Sequence, residues 1–142
     1  MLKISKRVEY ALFAVQTMAH QTGLVSAKEI AARFDISFTL LAKVLQQLVR
    51  AGYVRSSQGV AGGYALAVAP TDISIADIIA AVEGDSPAIV SCQSKHDHDC
   101  SVHESCTIKE PLAVLQERID ETFRSMTVAE LARPALVQLE LS

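Results

Sequence analysis

The chain has 142 residues, about the length of one domain and enough to bury a hydrophobic core. Half of its residues are hydrophobic and a fifth are charged, so the composition excludes a disordered chain. The net charge of −3 excludes a uniformly basic nucleic-acid-binding protein.

The charge is divided unevenly along the chain. Residues 1–66 carry eight lysines and arginines against three acidic residues, whereas residues 67–142 carry five against thirteen. The net charges of these two parts are therefore +5 and −8. A basic part predicts a surface that lies near an anion, and a chance imbalance on a solvated surface is the alternative.

Two features of the sequence predict a cytoplasmic protein without membrane association. No apolar run approaches the roughly 18 residues that a membrane span needs. The first residues are not followed by the apolar stretch of a signal peptide. The three cysteines are clustered, which in a reducing compartment is typical of metal or redox chemistry rather than of a disulfide framework.

Three amphipathic helices are predicted in the first third of the chain. Apolar residues at helical spacing predict the first helix over residues 5–22, with Gly23 as its stop. The second helix, residues 26–34, opens with a capping-box pattern of a hydroxyl and a carboxylate. The third helix covers residues 37–51 and ends at Gly52.

A hairpin and three further helices are predicted in the rest of the chain. The strands are residues 53–56 and 64–68, and the loop between them is rich in glycine. The later elements are a short helix at 74–84, a polar loop at 85–106, a helix at 107–126 and a short helix from 127 to about 134. Thr107 and Glu110 form a capping-box pattern. The predicted domain division is 1–84, 85–106 and 107–142.

Three helices followed by a hairpin is the element order of a winged helix-turn-helix, so the predicted fold class is mainly α with a β-hairpin wing. The third helix would be the recognition helix, and its N-terminus favours a phosphate. Glycines in the wing allow close approach of the backbone to DNA. A plain three-helix core with an ordinary turn is the alternative. The predicted DNA-contacting residues are Lys3, Lys28, Ser37, Thr39, Leu40, Lys43, Arg55, Gln58, Gly59, Gly62, Gly63 and Tyr64.

The segment from Cys92 to Cys106 carries all three cysteines, spaced Cys-x7-Cys-x5-Cys, and three of the four histidines. Thiolates bind zinc, copper(I) or iron–sulfur clusters. Structural zinc sites usually contain closer cysteine pairs, and wide spacing suits a larger inorganic core. Candidates for a fourth ligand are His96, His98, His103 or a carboxylate from elsewhere. Inert buried thiols and a thiol redox switch without metal are the alternatives.

Five segments of the chain, taken in order, carry a family resemblance. They are residues 5–12, 41–54, 59–64, 75–84 and 127–131. Together they resemble the Rrf-type winged-helix transcription regulators, which include the IscR-like and NsrR-like iron–sulfur regulators. The resemblance extends from Leu2 to about Pro134. Each segment alone is a weak signal, whereas their order along the chain is specific.

The resemblance implies how the chain assembles and what it binds. It implies a homodimer whose two-fold interface is the long helix at residues 107–126. It implies a pseudo-palindromic operator in double-stranded DNA, with the recognition helix in the major groove and the wing in the minor groove. It also implies an iron–sulfur cluster, 2Fe-2S or 4Fe-4S with zinc as the alternative, held by Cys92, Cys100 and Cys106.

The fourth ligand departs from one branch of the family. IscR-like members have a histidine three residues after the last cysteine, and this chain has Lys109 there, which cannot bind a metal while it is protonated. Some relatives take an acidic ligand from the first helix of the partner subunit, and Glu9 stands at the matching position. Glu9 is therefore the predicted fourth ligand, ahead of His103 and His98.

The predicted function is a DNA-binding transcription regulator, most simply a repressor, that senses redox state, nitric oxide or iron–sulfur status. A zinc- or thiol-based regulator of the same fold is one alternative, and an iron–sulfur scaffold without affinity for DNA is another. Nothing in the sequence predicts catalysis or a small-molecule substrate. In the wing, Gln58 stands where the family usually has an arginine, and Arg55 is the predicted substitute.

Overall fold

The computed structural model describes residues 3–84 and 107–133. The helices are Lys6–His20 (α1), Ala27–Phe34 (α2), Phe38–Arg50 (α3), Ile75–Glu83 (α4), Lys109–Ser125 (α5) and Val128–Leu131 (α6). The strands Val54–Ser57 (β1) and Gly63–Leu66 (β2) pair antiparallel between α3 and α4. The mainly helical fold with a hairpin after the third helix is therefore confirmed.

Side-chain caps fix where several helices begin. The hydroxyl oxygens of Ser26, Ser37 and Thr127 each accept the backbone N–H three residues later, at 3.1, 3.3 and 3.2 Å. Ser74 begins α4 with a reciprocal capping box. Such caps satisfy backbone donors that have no partner within the helix, so the predicted starts of α2, α3, α4 and α6 are confirmed.

The predicted capping box at the start of α5 is wrong. The helix begins at Lys109, its N-cap position is Ile108, and no side chain caps it. A cap at Thr107 would require Pro111 to donate the first helical hydrogen bond, and proline has no N–H. The first bond therefore joins the N–H of Leu112 to the carbonyl of Ile108, at 2.9 Å.

The hydrophobic core is built around α1, which packs against α3, α4 and α6. The inward face of α3 is fully buried, as the sequence predicts; it consists of Leu41, Val44, Leu45 and Leu48. Val128 of α6 is equally buried in the same cluster. The last turn of the described chain therefore shares the core of residues 3–84.

Helix α5 differs from the others because none of its residues is buried within the described part of the chain. Phe123, near its C-terminal end, packs partly against the core. Farther from the core, Ile108, Val114 and Leu115 are 56, 54 and 46 % exposed. A backbone hydrogen bond of 2.8 Å, from the N–H of Ile75 to the carbonyl of Met126, fixes the C-terminal end of α5 to the start of α4.

No described helix is long and apolar enough to cross a membrane.

Candidate nucleic-acid interface

A turn of three residues, 35–37, joins α2 to α3. Asp35 has φ 52° and ψ 52°, a left-handed conformation that aspartate tolerates better than most residues. The N–H groups of Asp35 and Ile36 both donate to the carbonyl of Ala31, and Ser37 then caps α3. This turn sets the direction of α3 relative to α2, as in a helix-turn-helix.

The exposed face of α3 begins at its N-terminal end. Ser37, Thr39 and Lys43 are exposed, whereas Leu40 is half-buried. Phe38 is also exposed: 50 % of its surface is accessible to solvent, which is unusual for a phenylalanine in a protein of this size. Three of the four predicted contacts on α3 therefore face solvent, and Leu40 packs in part against the protein.

The wing is a short hairpin with a glycine-rich tip. Its register pairs Val54 with Leu66 at the base and Ser57 with Gly63 at the tip. The turn closes with a hydrogen bond of 3.0 Å from the N–H of Gly62 to the carbonyl of Gly59. Gly59 has φ +107°, a conformation that residues with a side chain rarely adopt.

The wing is also joined to the segment between α1 and α2. The N–H of Val25 donates to the carbonyl of Tyr64 at 3.0 Å, and the N–H of Tyr64 donates to the carbonyl of Val25 at 2.7 Å. A Cβ atom on Gly63 would lie 2.7 Å from the carbonyl oxygen of Val25. The structure thus gives Gly63 a packing reason for having no side chain, beside the DNA contact that the sequence predicts.

One groove, of about 340 Å³, lies between the N-terminal end of α2, the start of α3 and the wing. It brings together half of the predicted DNA-contacting residues, namely Lys28, Gln58, Gly59, Gly62, Gly63 and Tyr64. It also contains residues that the sequence did not predict as DNA contacts, namely Ser26, Phe38, Ser56 and Ser57. An aromatic residue directly after a predicted cap is the sequence signal that marks Phe38.

The other predicted contacts lie outside this groove. Arg55 lines a second groove with the C-terminal end of α1 and the segment after β2. Lys3 is exposed in the chain that precedes α1. Ser37, Thr39 and Lys43 are on α3 but do not line the groove. The wing groove therefore does not contain Arg55, the predicted substitute for the wing arginine.

A tyrosine at the base of the wing lies near the start of α4. Tyr53 precedes β1, and its phenol is close enough to Asp77, in the first turn of α4, to be affected by the charge of that carboxylate. Burial raises the pKa of Tyr53 above its ordinary value, and the negative charge of Asp77 raises it further. The phenol therefore stays protonated over the neutral pH range.

The predicted metal ligands fall mostly outside the described residues. Those outside are Cys92, Cys100, Cys106, His98 and His103. Glu9 is on the surface of α1, with its side chain 49 % exposed and its carboxylate 3.8 Å from the ammonium of Lys6. In residues 3–84 and 107–133, no three histidine, cysteine, aspartate or glutamate side chains are grouped so that they could hold a metal ion.

Comparison with known protein families identifies the fold. Residues 4–134 match the profile of Rrf2, described as an iron-dependent transcriptional regulator. The chain belongs to the Rrf2 family. The resemblance carried by the five sequence segments is therefore confirmed, and it covers nearly the whole chain.

Relatives of known name agree with this assignment. The HTH-type transcriptional regulator IscR of Vibrio campbellii is 32 % identical over 143 residues, which cover 99 % of this chain and 83 % of that protein. The structure of CymR (YrzC), the global cysteine regulator of B. subtilis, has a TM-score of 0.73 and 29 % identity, covering 93 % of this chain and 97 % of CymR. The structure of T. potens IscR has a TM-score of 0.68 and 32 % identity, covering 92 % of this chain and 85 % of that protein. This Rrf2 protein is thus a helix-turn-helix transcriptional regulator with a winged-helix fold.

Proposed function

We propose that this Rrf2 protein binds a pseudo-palindromic operator as a homodimer, acts as a repressor, and is controlled by cysteine chemistry in residues 85–106. The observation that carries the DNA-binding part is the groove between α2, α3 and the wing. Lys28 lines this groove in the first turn of α2, where backbone N–H groups and the helix dipole also favour an anion. A phosphate of the DNA backbone meets these requirements.

The exposed N-terminal part of α3 is the part that we propose to enter the major groove. Ser37 and Thr39 carry hydroxyl groups, which hydrogen-bond either bases or phosphates. Lys43 lies one turn after Thr39 on the same face and adds a positive charge. The wing tip, with Gln58 and Gly59, is the part that we propose to enter the minor groove.

The experiment that tests DNA binding starts with selection of a binding sequence from a random library of duplexes. Fluorescence anisotropy then measures the affinity for the selected duplex at several salt concentrations. Lys43→Ala is expected to weaken binding and to reduce the slope of log K against log salt by about 1 unit. Lys109→Ala removes an equally exposed lysine from α5 and serves as the control. Equal effects of the two substitutions would contradict the proposed role of α3.

The homodimer is supported by the apolar surface of α5. Leu115, Ile108 and Val114 are exposed large hydrophobic residues on a helix that has no buried residue in the described chain. Such side chains are usually covered in the assembled protein, because contiguous exposed apolar surface marks an interaction site. A second copy of α5, related by a two-fold axis, would cover both surfaces at once.

We further propose that Cys92, Cys100 and Cys106 hold an iron–sulfur cluster, with Glu9 of the partner subunit as the fourth ligand. The family description as iron-dependent supports this proposal. Three thiolates suit such a cluster, and the half-exposed carboxylate of Glu9 is held only by a long ion pair to Lys6 among the described contacts. When bound, the cluster would supply chemistry that responds to oxidants, nitric oxide or iron supply.

The cluster is tested by purification without oxygen, followed by an absorption spectrum and by iron, sulfide and zinc analysis of one sample. A brown protein with iron and acid-labile sulfide is the expected result. Glu9→Gln should then change the spectrum or the stability of the cluster. Glu29→Gln, which alters another exposed first-turn glutamate, is the control and should not. A colourless protein that contains zinc or no metal would refute the cluster.

A thiol-based regulator of the same fold is the second candidate. The similarity to CymR favours it, because the solved structures of Staphylococcus aureus CymR include an oxidized form. In this case the metal-free protein should bind the selected duplex, and oxidation of its thiols should change the affinity. Cys100→Ser should remove that response and leave the affinity of the reduced protein unchanged.

A further inference from the structure

One polar side chain connects the proposed recognition helix to the two helices behind it. Gln47 is half-buried on α3, between the buried Val44 and Leu48. Its Nε2 donates to the carbonyl oxygen of Val82 in the last turn of α4, at 3.3 Å. Its Oε1 accepts a hydrogen bond from Nη2 of Arg7 on α1, at 2.8 Å. Gln47 thus joins segments that are 35 and 40 residues away along the chain.

These two bonds supply something that the apolar face of α3 cannot. The buried leucines and valines hold α3 against the core, but hydrophobic contact has no preferred direction. Hydrogen bonds are directional and weaken steeply when the atoms move by a fraction of an ångström. Base reading has the same narrow tolerance, because it depends on hydrogen bonds to base edges. The rotation of α3 about its axis and its position along that axis therefore need a directional contact.

Arg7 orients the amide of Gln47. Its Nε is buried and has no partner among the described residues, so the bond to Gln47 carries much of the guanidinium's hydrogen bonding there. Because the oxygen of the amide faces Arg7, its nitrogen is directed to Val82. The same turn of α4 is also tied to α1, because Ser5 Oγ donates to Glu83 Oε1 at 2.6 Å.

We propose that Gln47 is a positioning residue for sequence recognition, which holds α3 in register with the last turn of α4 so that Thr39 reaches the bases and Lys43 the phosphate backbone. This inference rests on the proposed DNA binding. It adds that α4, whose last turn lies immediately before residues 85–106 in the sequence, is in direct hydrogen-bond contact with the reading helix.

Gln47→Met tests the proposal, because methionine keeps the length of the side chain and forms neither bond. The affinity is measured for the selected duplex and for an unrelated duplex of equal length. Specific affinity is expected to fall about tenfold, the size of effect of one mismatched base pair, while non-specific affinity stays the same. Gln16→Met is the matched control, since Gln16 on α1 donates to the carbonyl of Leu131 in α6 at 2.9 Å and so bonds to an element other than α3. It should lower the melting temperature and leave the ratio of the two affinities unchanged.

Gln47→Glu separates the two bonds and serves if the methionine variant does not fold. Its carboxylate still accepts from Arg7 but cannot donate to Val82, so specific affinity should again fall. The proposal is overturned if either variant of Gln47 keeps the wild-type ratio, or if both duplexes lose affinity equally. A wild-type protein that selects no DNA sequence would instead refute the proposed function itself.

Discussion

Gly63→Ala should separate the wing from the segment between α1 and α2. The new methyl group would lie 2.7 Å from the carbonyl oxygen and 2.9 Å from the carbonyl carbon of Val25. These are backbone atoms, which cannot move aside as the end of a flexible side chain does. The clash is relieved only if Val25 and Tyr64 move apart, and that movement breaks the two hydrogen bonds between their backbones.

The expected loss of stability follows from those bonds. Each contributes about 0.5–1.5 kcal/mol, so losing both costs about 1–3 kcal/mol. Alanine also restricts the unfolded chain, which returns about 0.4–1 kcal/mol to the folded state. The net loss of free energy of unfolding is therefore about 0–2.6 kcal/mol, and the difference from a glycine-to-alanine variant without the clash is about 1–3 kcal/mol. For a chain of this size, each kcal/mol lowers the melting temperature by roughly 2–8 °C.

Thermal unfolding followed by circular dichroism, at one protein concentration, measures this loss. Gly23→Ala is the matched control, because no atom lies within 4 Å of its added Cβ and its φ is not in the left-handed region. That variant should melt within a few degrees of the wild-type protein. If Gly63→Ala and Gly23→Ala have the same melting temperature, the contact with Val25 does not require a glycine and the reasoning is refuted.

Three further substitutions have defined outcomes. Ser37→Ala removes the cap of α3 and should cost about 1 kcal/mol in a denaturant titration, and an unchanged midpoint would argue against the cap. Because burial and Asp77 raise the pKa of Tyr53 above 10.0, the stability from the neutral phenol is complete below pH 10 and is lost as the pH rises through the folded-state pKa. A pH series of melting curves should show that loss in the wild-type protein and less of it in Tyr53→Phe. Leu115→Glu should halve the molecular mass that light scattering gives for the wild-type protein. Ala113→Glu, roughly 200° away around the exposed helix, is the control and should leave the mass unchanged. Equal masses for the two variants would contradict a dimer through α5.

Local signals in the sequence were enough to predict most of the fold. Ser37 and Gly52 bound α3 because a hydroxyl cap and a residue with φ +89° act on their immediate neighbours. The hairpin follows in the same way from two short runs around a glycine-rich turn. The ends of elements moved, since α1 stops at His20, two residues early, and β1 starts at Val54, and a short 3-10 helix at Pro70–Asp72 was not predicted.

The candidate site was harder to predict, because its parts meet through contacts between distant residues. Nothing near Gly63 in the sequence indicates that the backbone of Val25 lies against it. Gln47 has the sequence position of an ordinary polar helix residue, and its two partners are on other helices. Arg55 was predicted to replace the wing arginine beside Gln58, but Ser56 and Ser57 of β1 line the groove with Gln58, and Arg55 lines the second groove.

Helix α4 contacts the proposed recognition helix and the proposed dimer helix. At its start, Asp77 lies near Tyr53, just before the wing, and a backbone bond from Ile75 to Met126 holds the end of α5. At its end, the carbonyl of Val82 holds α3 through Gln47. A control mechanism requires two states that differ in their fit to the operator. Helix α4 is hydrogen-bonded to α3 at one end and to the end of α5 at the other, and residues 85–106 follow it in the sequence, so these contacts are where such a difference between states would be measured first.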